Sequence, residues 1–252
     1  MEVLLRILKW SALIVGILVI SLLIILYTVF PKVDPAGDII IESSAEMIAR
    51  GDYLANHVAV CIDCHSTRDW SYFAGPIVPG SEGIGGEEFG KDFGFPGTFY
   101  AKNITPTGIG DWTDGELYRL ITTGVTPDWE PIFPLMPYPS YGKMDVEDMK
   151  SIIAYIRSLE PQENKVKESK ADFPMNLIMR MIPKPAEPTI RPSPSDTLNY
   201  GKYLVTISGC GDCHTMAEKG KPVEGMHFAG GFEFKLPGGG MVRPAKLTPD
   251  EA

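Results

Sequence analysis

Cys61-Ile62-Asp63-Cys64-His65 carries the clearest chemistry in the chain, and Cys210-Gly211-Asp212-Cys213-His214 repeats it. Two thiols separated by two residues, with an imidazole next in line, can form two thioethers to a porphyrin's vinyl groups and offer a nitrogen to its iron. This is the attachment pattern of haem c. All 4 cysteines fall inside the two pentapeptides, so none is left for an independent disulfide. CxxC pairs also serve zinc sites and dithiol redox centres, but zinc usually takes a second ligand pair nearby and the dithiol a βαβ setting. Two copies of the CxxCH pattern fit neither. The expectation is two haem c groups, attached at Cys61 and Cys64 and at Cys210 and Cys213, with His65 and His214 as proximal iron ligands.

A sixth ligand is expected from the proline-rich aromatic loop at Asp128 to Tyr141, DWEPIFPLMPYPSY. Met136 sits in it between Leu135 and Pro137. A thioether opposite histidine raises the potential of an electron-carrying haem, and prolines stiffen the loop that presents it. Met144 and Met149 are the alternatives, although Met149 shares helical spacing with Val146 and Ile153. Near the second motif only Met216, Met226, His227 and Met241 could substitute, and none lies in such a loop; the sixth ligand of haem two stays unknown. His57, four residues before Cys61, reads as a satisfied or surface histidine.

These ligands need elements to hold them. Ser43-Ser44-Ala45-Glu46 has the spacing of a capping box, opening a helix with Met47, Ile48, Gly51, Leu54 and Val58 on one face. Thr113-Asp114-Gly115-Glu116 opens a second helix, with Leu117, Leu120 and Ile121 apolar and Gly124 placed to end it. Asp145 begins a third, reaching about Leu159, whose wide apolar face is expected to pack on the first helix at Gly51. The acidic, glycine-rich run from Gly75 to Gly97 reads as a solvated insertion.

From Ser11 to Phe30 no residue is charged. As a helix this stretch spans about 30 Å, the thickness of a bilayer's hydrocarbon core. Its length and the absence of a small-x-small site favour an uncleaved anchor over a signal peptide. Arg6 and Lys9 precede it, which keeps residues 1–10 in the cytoplasm and places the rest outside, the side on which haem c is attached in bacteria. The localisation expected is a bacterial cytoplasmic membrane, crossed once, with the haem domains on the periplasmic side. The 26 glycines and 22 prolines suit short helices joined by long loops around a cofactor. The net charge of -9 argues against nucleic acid as partner.

Gly201-Lys202-Tyr203-Leu204 echoes Gly51-Asp52-Tyr53-Leu54, Phe228-Ala229-Gly230 echoes Phe73-Ala74-Gly75, and Lys246-Leu247-Thr248-Pro249 echoes Asn103-Ile104-Thr105-Pro106. One domain is duplicated. By the spacing of the first copy the second distal methionine would fall at about position 285, so the second copy is expected to be incomplete in this chain. The organisation read from sequence is a cytoplasmic terminus at 1–10, a transmembrane helix at 11–30 and a tether at 31–42. A haem domain at 43–160, a Pro-rich linker at 161–194 and the second, incomplete domain at 195–252 follow.

Gly51-Asp-Tyr-Leu54, the CIDCH motif, Asn103-Ile-Thr-Pro106, Gly108-Ile-Gly-Asp-Trp112, Met136-Pro-Tyr-Pro-Ser-Tyr141, Ala154-Tyr-Ile-Arg-Ser-Leu159 and Phe173-Pro-Met-Asn-Leu177 together resemble the cytochrome c subunit of membrane-bound quinoprotein alcohol dehydrogenase and flavin-dependent gluconate or sugar dehydrogenase complexes. The fold expected is mainly α, with the N-terminal transmembrane helix followed by two tandem class I-type cytochrome c domains, the second incomplete in this chain. The resemblance implies a subunit that takes electrons from a dehydrogenase and hands them to ubiquinone or another acceptor, with no substrate chemistry of its own. That family usually carries three haem motifs and binds the membrane at its other end, whereas this sequence has two motifs and an N-terminal helix. A redox partner that is a dehydrogenase, a quinol complex or an oxidase is expected. The alternatives are a haem-containing subunit of a terminal oxidase or quinol-oxidising complex, and a dihaem peroxidase or thiosulfate-oxidising enzyme.

Overall fold

The computed structural model of the chain describes residues 1–218, 220–236 and 239–249. It is mainly helical. Among the described residues ten α-helices appear in order: α1 (Glu2–Val29), α2 (Ala45–Tyr53), α3 (Cys61–Cys64), α4 (Pro106–Ile109), α5 (Asp114–Thr123), α6 (Tyr138–Tyr141), α7 (Val146–Arg157), α8 (Met175–Ile178), α9 (Thr197–Ile207) and α10 (Cys210–His214). Three short antiparallel strands form one sheet in the order β1 (Glu88–Phe89), β2 (Gly97–Tyr100), β3 (Lys170–Ala171). Two further strand pairs, β4 (Ala217–Glu218) with β5 (Lys221–Pro222) and β6 (Phe234–Lys235) with β7 (Met241–Val242), follow the second motif.

Helix α1 is apolar and largely exposed along its length, and among the described residues it is the one helix long and apolar enough to cross a membrane. The tether after it is not loose. The Ile41 amide donates to the Asp114 carboxylate at 3.1 Å, and the main chain at Gly37 lies so close to Gly115 that a Cβ there would stand 1.8 Å from the Gly37 oxygen.

The helix caps follow the sequence with one shift. Thr113 and Glu116 form the expected reciprocal box at the start of α5, and Gly124 ends that helix in the left-handed region at φ 76°. At α2 the cap is Ser44, whose hydroxyl accepts from the Met47 amide at 3.1 Å, rather than Ser43 paired with Glu46. The difference is one residue of helix start, which two adjacent serines leave open. Asp145 caps α7 through the Glu147 amide.

The centre of the fold is the crossing of α2 and α7. Leu54, Ala55 and Val58 meet Met149, Ile152, Ile153 and Ile156 in one buried cluster. Gly51 makes that approach possible, since a Cβ on it would lie 1.8 Å from the Ser151 carbonyl oxygen. The same cluster takes in Tyr203 and Ile207 of α9, so the helix that leads to the second motif is packed into the core of the first. Residues 161–191 run along this body. The Gln162 carbonyl accepts from Asn103 at 2.8 Å, β3 extends the sheet at Gly97 and Thr98, and the Glu187 amide donates to the Gly142 carbonyl at 2.9 Å.

Gly51 and Gly201 occupy the same place in the repeat but not the same surroundings, because nothing lies within 4 Å of a Cβ built on Gly201. Gly51→Ala is expected to destabilise by about 1–3 kcal/mol through overpacking of the crossing, while Gly201→Ala is expected to stabilise by about 0.5–1 kcal/mol. Thermal unfolding of the two variants beside the parent checks both signs.

Candidate functional site

Both CxxCH motifs are built the same way. Each begins at a residue in the left-handed region, Val60 at φ 47° and Gly209 at φ 64°, which turns the chain sharply before a one-turn helix carries the two cysteines. Ahead of the first motif, α2 widens into a π turn at Leu54–Val58, with the Ala59 amide reaching the Leu54 carbonyl at 2.7 Å. This extra residue shifts the phase of the helix just before the turn, a device frequent at functional sites.

The imidazoles are held alike. His65 Nδ1 donates to the Lys102 carbonyl at 2.6 Å, and His214 Nδ1 donates to the Ala245 carbonyl at 2.8 Å. A carbonyl only accepts, so Nδ1 carries a proton, and Nε2 is the ring nitrogen that remains available to a metal. That is the arrangement a metal-binding histidine needs. Desolvation lowers the pKa of His65, partly offset by the Lys102 bond, so the ring is held neutral.

Three more hydrogen bonds repeat around each motif. Gly85 donates to the His65 carbonyl at 2.9 Å and Gly230 to the His214 carbonyl at 2.8 Å. The Ser66 hydroxyl accepts from Gly83 at 3.2 Å and the Thr215 hydroxyl from Phe228 at 3.1 Å. Ile104 donates to the Gly83 carbonyl and Leu247 to that of Phe228. A Cβ on Gly85 would meet the main chain at Ala101–Asn103, and one on Gly230 the main chain at Pro244–Lys246. Phe228-Ala229-Gly230 is therefore the counterpart of Gly83-Ile84-Gly85 and not of Phe73-Ala74-Gly75. Similarity of letters suggested the wrong pairing because the first copy has a longer excursion after its histidine.

Met136 lies half-buried beside the core that Cys61 also borders. Its loop is fixed at several points. Ile132 donates to the Gly124 carbonyl at 2.8 Å, Phe133 stacks on Phe99 of β2 at 4.4 Å between ring centres, and the Tyr141 hydroxyl donates to the Ala59 carbonyl at 2.5 Å. Met144 and Met149 are fully buried in the core. Near the second motif, Met216 lies against Gly231, His227 stacks on Phe228 and Met241 is exposed on β7. His57 stands in the π turn beside Tyr53.

The two motifs are neighbours, a relation that sequence spacing hides. A Cβ on Gly209 would lie 3.7 Å from the Pro137 side chain, next to Met136. Tyr141 lies within the electrostatic reach of both. Burial, with the fields of Cys61, Cys64 and Asp212 added, holds its phenol well above the usual value of 10.0.

The donor set also discriminates between cofactors. Among the described residues no three His, Cys, Asp or Glu side chains converge as a metal cluster, so the two CxxC pairs do not assemble a zinc site. Desolvation, with Cys64 adding to it, pushes the Cys61 thiol up to about 12, opposite to the lowered value of a dithiol exchange centre. Thiol pairs beside an available imidazole Nε2 fit covalent haem.

Comparison with known proteins agrees. No protein-family model matches the chain. It is 32% identical over 203 residues to the gluconate 2-dehydrogenase cytochrome c subunit of Pantoea cypripedii, across 74% of this chain and 43% of that protein. It is 30% identical over 214 residues to the cytochrome c subunit of the quinone alcohol dehydrogenase of Komagataeibacter europaeus, across 80% of this chain and 42% of that one. A diheme cytochrome c-type protein of Cereibacter sphaeroides is 29% identical over 164 residues, across 62% of this chain and 53% of its own length. The chain thus spans less than half the length of the gluconate and alcohol dehydrogenase relatives.

Because Tyr141 is held protonated in the fold, stability is expected to be full below pH 10.0 and to fall as pH rises above it, where the unfolded chain gives up a proton that the folded one retains. Tyr141→Phe is expected to flatten that fall while lowering stability at neutral pH by about 1–3 kcal/mol, through the unpaired Ala59 carbonyl. Unfolding curves for both proteins at a series of alkaline pH values test it. With its paired attachment turns and these relatives, the chain is a haem c cytochrome related to the cytochrome c subunits of gluconate, alcohol and fructose dehydrogenases.

Proposed function

We propose that this chain is a membrane-anchored dihaem electron carrier that takes electrons from a dehydrogenase partner and delivers them to a respiratory acceptor. The observation that carries the reading is the duplicated set of hydrogen bonds that leaves Nε2 of His65 and of His214 available beside two pairs of thiols. In this reading Cys61 and Cys64 attach haem one, with His65 and Met136 as its axial ligands. Cys210 and Cys213 attach haem two, with His214 proximal. Haem supplies a one-electron couple whose potential the axial ligands tune. The protein's part is to fix the imidazoles, present a thioether from a stiff loop and bring the two sites together at Pro137.

The architecture proposed is two tandem class I-type cytochrome c domains, at 43–160 and 195–252, joined by the segment at 161–194. Helix α1 would cross the cytoplasmic membrane once, with the haem domains on the periplasmic side. Its length and composition support this, as do Arg6 and Lys9 at its start. The relatives' names support a dehydrogenase as donor, since they are subunits of gluconate, alcohol and fructose dehydrogenases.

On a denaturing gel the chain is expected to keep haem stain, and its intact mass to lose one haem when Cys61 and Cys64 are both changed to serine. Met136→Ala should lower the potential of one haem and leave the other in place. A chain without covalent haem, or a Met136→Ala variant with both potentials unchanged, would overturn the assignment. Co-purification in mild detergent with a flavin- or quinone-dependent dehydrogenase checks the partner.

A further inference from the structure

The segment from Phe173 to Pro183 is unusual in its charge. Arg180 is its one charged residue, between Asp172 and Lys184, and that charge is turned inward. Arg180 is 7% exposed, bonds the Glu130 carboxylate through Nη2 at 2.5 Å, and lies 4.2 Å from the centre of the Tyr27 ring. Tyr27 belongs to the last turn of α1. Its neighbour Leu26 is the one buried residue of α1, and Met179 is buried on the segment's side. The outer end of α1 is thus seated on Met179–Met181.

The opposite side of the segment is neutral and apolar. Phe173 is 79%, Ile178 38% and Met181 52% exposed, and Pro174 is exposed beside them. In water such a surface is a cost, and exposed apolar patches mark contacts. Its depth is set by what it touches: Tyr27 stands one turn from the outer end of the charge-free stretch that closes at Phe30, where aromatic rings lie at the headgroup level of a bilayer.

We propose that Phe173–Pro183 is a second membrane contact, an interfacial surface that rests its Phe173, Ile178 and Met181 side chains among the lipids of the outer leaflet beside α1. It rests on the reading of α1 as a membrane span. A short apolar surface of this kind binds weakly alone, and the adjoining helix makes its insertion effectively intramolecular. The haem domains are then held at a fixed attitude to the bilayer rather than tethered at one point. Lipid is the occupant chosen over a protein because the patch is continuous with the lipid-facing helix and offers no free charge to steer a protein partner.

The test uses the full chain with its haems, reconstituted alone in phosphatidylcholine vesicles that carry a trace of phosphatidylcholine with a diazirine on the acyl chain. After photolysis, peptide mapping is expected to find lipid adducts on α1 and also on Phe173–Pro183. A variant carrying Ile178→Glu and Met181→Glu, both at exposed positions, should lose adducts on the segment severalfold while keeping those on α1 and its haem absorbance. Adducts on α1 with none on the segment would overturn this inference and leave the anchor standing. Adducts on neither would overturn both. Labelling of the segment by a water-soluble carbene reagent in the vesicles, with protection only in native membranes, would mark a protein occupant and also overturn it.

Discussion

Asp148 is the constraint on which the arrangement of this protein depends. Its carboxylate is 0% exposed, and a buried charge is tolerable only when paired and hydrogen-bonded. Arg50 of α2 meets it through Nε at 3.0 Å and Nη2 at 2.8 Å, the Tyr203 hydroxyl of α9 donates at 2.7 Å, and Arg191 from the connecting segment bonds it as well. Burial works against the Arg50 charge, but its bonds to Asp148 and Tyr200 more than offset this and hold its pKa above the usual value. Three separate stretches of chain converge on one carboxylate of a fourth. A hydrophobic replacement of similar volume could match the stability; what the ionic cluster adds is direction, because only one docking of α9 satisfies every donor.

That docking explains why the two attachment turns are neighbours although about 150 residues separate them in sequence. Helix α9 enters the first core through Tyr203 and Ile207, and α10 follows after a single left-handed residue, so the second motif emerges against the loop at Pro137. The position of one site relative to the other is a property of packing, with the Pro-rich connection pinned along the body at Gly142, Lys143 and Asp145.

Much of the candidate site was legible from local pattern. The CxxCH pentapeptides carry their chemistry in contiguous residues, the Thr113–Glu116 box is a four-residue signal, and Gly51 on an apolar face announced the close crossing that the structure has. What was hidden depends on contacts far apart in sequence. Asp148 on an amphipathic helix reads as a solvated acid, and only the approach of Arg50, Arg191 and Tyr203 makes it a hub. The π turn at Leu54–Val58 inserts one residue into a helical period, which leaves the apolar spacing almost unchanged. Prolines at 183–194 say that the chain is stiff, and nothing in composition says what it lies against.

The imidazole bonds have a consequence for how such a protein can change over generations. His65 and His214 are oriented by the carbonyls of Lys102 and Ala245, two residues whose side chains have nothing in common. The orienting group is main chain, which every residue supplies. Substitution at either place therefore leaves the proximal geometry intact provided the loop keeps its path, and that path is enforced by Gly85 and Gly230, where any side chain would strike the backbone. Sequence around these sites can therefore change without moving either ring, so long as the two glycines and the pentapeptides they face are kept.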